Sequence, residues 1–224
     1  MAKSDELDLF GGQQPATTGE KRWPPDSEPP ASLPEARRMA ASCTRCDLYR
    51  NATQTVFGEG PVDAAIMLVG EQPGDQEDLQ GKPFVGPAGR MLDRALAEAG
   101  IDRSTVYVTN GVKHFKNEPR GKRRLHKRPD IREIDICRWW LDHERRFVKP
   151  KVVVALGATG LRAVTGRSAS ITSMRGRPSR LPDGATLIVT VHPSYLLRMP
   201  DAAEAEREYA RLVDDLRLAA RQAA

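Results

Sequence analysis

Short, nearly continuous apolar runs alternate with amphipathic stretches along most of this chain. Segments 65–70 (AIMLVG), 105–110 (TVYVTN), 151–157 (KVVVALG) and 186–192 (TLIVTVH) are apolar runs that end in Gly, Asn or His. Such runs suit parallel strands buried on both faces. Between and after them, apolar positions fall at helical spacing. Met91, Leu92, Ala95, Leu96 and Ala99 lie in 87–100, and Ile134, Cys137, Trp140 and Leu141 in 130–148. Tyr209, Leu212, Val213 and Leu216 lie in 201–220, and 158–164 reads as a short helix. Strand–helix alternation at this spacing predicts a three-layer α/β/α fold around a central four-stranded parallel sheet.

A further helix is predicted to begin near Ser32, which suits a cap, with Pro34 in its first turn. It carries Ala36, Met39, Ala40 and Cys43 on one face. Residues 1–31 are rich in Pro, Gly, Glu, Ser and Gln, so a disordered arm is expected there, with the folded domain over 32–224. Segment 71–89, with its many Gly and Pro residues, reads as a long polar loop.

Charge changes the picture at one place. The whole chain of 224 residues carries a formal +5. From Gly111 to Arg132 nine Lys or Arg stand against Glu118 and Asp130, a local +7, so the rest sums to −2. The charge is therefore a patch, and a nucleic acid is its first candidate partner. Lys122, Arg123, Arg124, Lys127 and Arg128 surround His126 within it, and His114 lies near its start. Gly121, Pro119 and Pro129 argue against a long regular element across its middle. No apolar run is long enough to span a membrane. The first residues lack the apolar core of a secretory signal, so a cytoplasmic protein is expected.

Cys43, Cys46 and Cys137 are the three cysteines. An odd count with one C-x-x-C pattern argues against a disulfide framework and for a metal site or redox pair. His114, in the loop after the second strand, is the candidate fourth ligand. Such a set suits zinc, or an iron–sulfur cluster; three buried thiols is the plain alternative.

Ligands of parallel sheets bind outside the carboxyl ends of the strands. Those ends carry 71–74 (EQPG), Asn110, Gly157 and 192–194 (HPS). Glu71 and His192 suit acid–base or charge-stabilising work, against the plainer reading of a loop cap and a structural histidine. Phe84, between Pro and Gly turns, suits stacking on a flat base, against simple packing. No glycine-rich phosphate motif follows the first strand, which leaves a nucleotide cofactor unsupported.

The segments GEQPGDQEDLQGKPFVGPAGRMLD, YVTN and VHPSYLLR, in that order, resemble the uracil-DNA glycosylase superfamily near its iron–sulfur family 4 branch. The insert GKRRLHKRP resembles the basic loop of the UdgX-type subgroup, with Leu125 where isoleucine is usual. The resemblance spans about residues 35–220. It implies a glycosylase that excises uracil from DNA, with Glu71 and Gln72 at the scissile bond, Phe84 stacking on the base, Asn110 reading its edge and His192 stabilising the departing uracil. Gln72, Gly74, Asp75 and Ser194 are implied as further substrate contacts. The five basic residues around His126 are implied to hold DNA. The cluster ligands map onto Cys43, Cys46, His114 and Cys137, which implies a [4Fe–4S] cluster over zinc. The UdgX-type loop further implies that His126 attacks the sugar C1′ and links the protein covalently to the abasic site. Single-stranded DNA is the preferred partner in this reading, free uracil the product, and the protein a monomer. Two other readings stay open: a glycosylase that turns over with water, and a non-catalytic, metal-bearing nucleic-acid-binding module.

Overall fold

The computed structural model describes residues 28–121 and 123–224. The expected arm therefore lies almost wholly outside the described residues, as does Lys122. The first helix, α1 (Leu33–Ala40), starts where the sequence predicts, with the Ser32 hydroxyl accepting from the Glu35 N–H.

Four parallel strands form the sheet: β1 (Ile66–Gly70), β2 (Tyr107–Asn110), β5 (Val152–Leu156) and β7 (Thr186–Thr190). All are buried along their length, as continuous apolar runs require. The order is β2-β1-β5-β7, and a two-residue strand, β6 (Ser179–Arg180), adds an antiparallel edge beside β7. The sheet thus has five strands, one more than the apolar runs predict, because so short an edge leaves no hydrophobic period.

Alternate strand residues feed two cores. Met67, Val69, Val153, Ala155, Leu187 and Val189 pack under α1, α4 (Ile131–Val148) and α5 (Gly157–Thr165). Leu68, Val108, Val154 and Ile188 pack under α3 (Pro87–Glu98) and α8 (Ala202–Ala223). Both layers are the predicted helices. Two further one-turn helices, α6 (Ile171–Met174) and α7 (Pro193–Leu196), carry no amphipathic period that would reveal them.

Two segments differ from expectation. The polar loop over 71–89 contains a helix, α2 (Asp75–Gln80). Its sequence, DQEDLQ, has no apolar period; polar bonds at its ends hold it instead. The Glu77 carboxylate accepts from the Gly74 and Gly86 N–H groups, and Gly81 closes the helix at φ 71°. The basic segment is no open loop either. Its strands β3 (Asn117–Arg120) and β4 (Arg123–His126) form an antiparallel hairpin, with His126 opposite Asn117.

Candidate active site

The carboxyl ends of the strands open into a cleft of about 1050 Å³. Glu71, Gln72, Phe84, Asn110, His126 and His192 all line it, as do Gly74, Asp75, Arg128 and Ser194. Residues spread over 124 positions are brought together by the sheet register, which sets Gly70 beside Asn110. Gly70 is required there. A Cβ on it would meet Asn110 Oδ1 at 2.4 Å and the Phe84 ring at 2.6 Å.

Phe84 holds a left-handed backbone, φ 57°, and its ring lies 5.9 Å from the His192 ring at an interplanar angle of 29°. The turn is packed so closely that a Cβ on Gly89 would overlap the Phe84 carbonyl. Asn110 is buried, and its Oδ1 has no hydrogen-bond partner. A buried amide oxygen left unpaired in a cleft is costly unless a ligand supplies the donor.

His192 is oriented by Ser194. The Ser194 N–H donates to Nδ1 at 3.2 Å, and the Ser194 hydroxyl lies 2.9 Å from the same atom. A neutral ring accepting at Nδ1 carries its proton on Nε2. Burial first, then the positive charge of Arg198 and the neighbouring His126 ring, pull the His192 pKa down to about 4, so the ring is neutral at physiological pH.

Gln72 fastens the hairpin. Its Oε1 accepts from the Lys116 N–H at 3.0 Å, and its Nε2 donates to the Lys127 carbonyl at 2.9 Å. These backbone bonds fix which end of the amide faces His126, whose Nε2 lies 2.9 Å from Gln72 Nε2. The His126 Nε2 must then be an acceptor, its lone pair engaged by the Gln72 amide at the wall of the cleft. Glu71 Oε1 stands 3.7 Å away, and Thr159 Oγ1 donates to Glu71 Oε2 at 2.7 Å. Burial lowers the His126 pKa, Arg198 lowers it further, and Glu71 opposes both.

That cause differs from the one the charge pattern suggests, namely repulsion from the hairpin's own cations. Arg124 turns instead to α2, meeting Asp75 at 2.7 Å and buried Asp78 at 2.5 Å, and lies over Phe115. Lys127 pairs with Glu118 at 2.6 Å. Arg123 and Arg128 remain exposed, Arg128 with Glu71 3.9 Å away. Asp75 and Arg124 thus anchor the hairpin. Thr159 and Arg198 are contributors that pattern reading misses. Arg198 lies inside the VHPSYLLR segment, where its approach to Ser194 Oγ at 3.1 Å is invisible without coordinates.

The cysteines gather at the core that α1 and α4 cover. Cys137, buried on α4, accepts from the Lys113 N–H at 3.2 Å, and Cys43 accepts from Trp140 Nε1 at 3.2 Å. The three thiols are close enough to act on one another's ionisation; burial chiefly, with Cys43 and Cys46 adding to it, pushes Cys137 up to about 12. His114 is buried, its pKa pulled to about 4 by burial, and its Nε2 lies 2.9 Å from Thr55 Oγ1. Among the described residues, no group of three or more His, Cys, Asp or Glu side chains is placed to hold a single metal ion.

Beside the thiols runs a fully buried ion pair. Lys113 Nζ meets Glu144 Oε2, Thr109 Oγ1 and the Asn110 carbonyl, each at 2.6 Å. Glu144 also accepts from the Gly58 N–H, Thr109 and Tyr107.

A doubly covered parallel sheet, a cleft of about 1050 Å³ at its carboxyl rim and a flat aromatic beside an unpaired amide make a site suited to a planar polar base. The family model described as the Uracil DNA glycosylase superfamily matches residues 57–217, and the chain belongs to that superfamily. The type-4 uracil-DNA glycosylase of Thermotoga maritima is 45% identical over 157 residues, covering 70% of this chain and 78% of that one. That of Archaeoglobus fulgidus is 33% identical over 180 residues, covering 77% and 87%. The type-5 uracil-DNA glycosylase of Pyrobaculum aerophilum is 30% identical over 120 residues, covering 47% and 50%. Among the described residues no helix is long and apolar enough to cross a membrane.

Proposed function

We propose that this uracil-DNA glycosylase works as a UdgX-type enzyme: it excises uracil and becomes linked through His126 to the sugar it leaves. The observation that carries this reading is the His126 ring, held at the cleft by Gln72, whose amide donates to Nε2, with that nitrogen 3.7 Å from Glu71.

The target nucleotide enters the cleft flipped or from a single strand. Phe84 stacks on uracil. Asn110 Oδ1 accepts the N3–H and its amide donates to O4, a pattern cytosine does not match. The C1′–N1 bond breaks with its electron pair leaving on uracil. The His192 Nε2–H donates to that developing oxyanion, and a neutral donor needs no proton transfer to act. Glu71 stabilises the oxocarbenium-like sugar. The His126 Nε2 lone pair leaves the Gln72 amide and forms the C1′–Nε2 bond. The resulting imidazolium carries its proton on Nδ1. No group of the reaction returns the histidine, so one protein is consumed per uracil. Arg123 and Arg128, exposed beside the cleft, hold phosphates. Gly74 and Ser194 line the base pocket.

A second reading, excision with water as nucleophile and full turnover, is favoured by the type-4 names of the most similar relatives. A denaturing gel with labelled uracil-containing single strand separates them. A band that survives heat and SDS supports the histidine adduct; an alkali-labile product without such a band supports turnover.

The adduct needs unprotonated His126. Its pKa is lowered by burial, so the midpoint for loss of adduct formation as pH falls from 8 is expected below the ordinary histidine value of about 6.5. A midpoint at or above 6.5 in quenched time courses would contradict this. Gly70→Ala, which drives a methyl into Asn110 and Phe84, is expected to weaken inhibition by free uracil at least about tenfold, roughly 1.4 kcal/mol, with the fold intact by circular dichroism.

For the cofactor, the donor set fits an iron–sulfur cluster. N–H groups from Lys113 and Trp140 point at two of the sulfurs, as ligand thiolates commonly receive. Three neighbouring thiols and an imidazole make a donor set that such a cluster accepts. Cys43, Cys46 and Cys137 would hold it, with His114 as fourth ligand once it releases Thr55. The cluster would pin α1 to α4 beside the site. Purified protein is expected to be brown; a colourless protein with one zinc per chain would overturn the assignment.

A further inference from the structure

A second groove, about 740 Å³, opens from the side of the cleft. It shares Arg128 and Ala158 with the cleft, then runs past Ile131, Arg132 and Arg162 to Ser168. Among the described residues Arg132, exposed on the first turn of α4, has no hydrogen-bond or ion-pair partner. Ile131 beside it is 57% exposed. A large apolar side chain between two unpaired or loosely paired arginines is an unfavourable surface unless something covers it.

Arg162 forms the deep wall. It pairs with Asp135 at 2.7 Å and donates to Ser168 Oγ at 3.2 Å, yet its buried Nε has no partner. Asp130 is the opposing charge on the rim. Its carboxylate is turned to its own helix, capping the Glu133 N–H, with Lys116 3.7 Å away. The groove floor thus presents arginines to whatever lies in it.

We propose that this groove seats the DNA strand flanking the target nucleotide, with phosphates on Arg128, Arg132 and Arg162 and a base face against Ile131. The proposal rests on the glycosylase reading of the cleft and names where the strand goes on leaving it. Its grounds are continuity with the cleft through Arg128, the unpaired charge of Arg132, and the exposed apolar side chain of Ile131 in the same lining. A phosphodiester strand meets all three; an acidic protein segment would leave Ile131 uncovered and is an outcome of the test.

The experiment measures binding and uracil release on two substrates: a long uracil-containing single strand, and a minimal one with a single nucleotide on either side. Arg132→Glu and Ser168→Asp are compared with the wild-type protein. On the long strand both variants are expected to bind at least tenfold more weakly. The salt dependence of Arg132→Ala should fall by about 0.7 in log–log slope, one phosphate contact on a single strand. On the minimal substrate both should match the wild type. Equal losses on both substrates would place the effect in the fold or cleft and overturn the groove. Unchanged long-strand binding would overturn it too, and would leave the groove to a protein partner. Failure of the wild-type protein to release uracil from either substrate would instead sink the glycosylase reading, so the two failures are told apart.

Discussion

Replacing His126 by serine is expected to abolish the heat-stable adduct with uracil-containing DNA while excision continues. The argument lies in the separation of duties across the cleft. On the proposed mechanism the base is gripped by Phe84, between α2 and α3, and by Asn110 and His192, at and after the ends of β2 and β7. The proposed nucleophile, His126, comes from the hairpin, held by Gln72 and Arg124. Removing the imidazole leaves every base contact intact and opens room for water beside Glu71. Adduct should fall below detection, and alkali-labile product should rise with repeated turnover. A gel that still carries the adduct in His126→Ser would assign the nucleophile elsewhere. Gln72→Ala should give a partial version, because the hairpin would lose the bonds Gln72 makes to Lys116, His126 and Lys127 but keep its histidine.

The second large effect concerns the fold. Lys113→Met is expected to cost about 3–5 kcal/mol, because it leaves Glu144 charged and buried at 0% side-chain exposure. Typical domains hold only about 5–15 kcal/mol in total. Urea titration should show the midpoint falling steeply. Lys113→Met combined with Glu144→Gln should be more stable than Lys113→Met alone, since glutamine still accepts from Gly58 and Thr109 without an unpaired charge. If the double variant is no better, uncompensated charge is not the cause.

Apolar patterning carried most of the fold. Four strands and five helices follow from runs and spacing, because burial on both faces leaves a strong signal. The one-turn helices, β6 and α2 escape it. Their stability comes from caps and polar bonds, and the Glu77 carboxylate reaching two N–H groups has no hydrophobic period. The rim residues were legible as a set because chain direction in a parallel sheet dictates where ligands bind. Their angles were not. Gln72 reads as a substrate contact until its amide is seen bonded to two backbone groups of the hairpin. Arg124 reads as a DNA contact until Asp75 and Asp78 are seen to take it. Local charge count cannot separate a cation that faces solvent from one that fastens its own loop. The same holds for His126, whose lowered pKa comes from burial and from Arg198, 72 positions later in the chain.

Phe84 leaves a mark of another kind. A phenylalanine at φ 57° costs about 1–2 kcal/mol relative to a residue at ease there. Selection for stability alone would drift this position toward glycine or asparagine, and Phe84→Gly should relax the backbone even as it removes the stacking face. The aromatic persists against its own strain only while the cleft is in use. In a lineage that had lost the activity, this would be among the first positions to change, so residue 84 serves as a gauge of whether a related chain still works on bases.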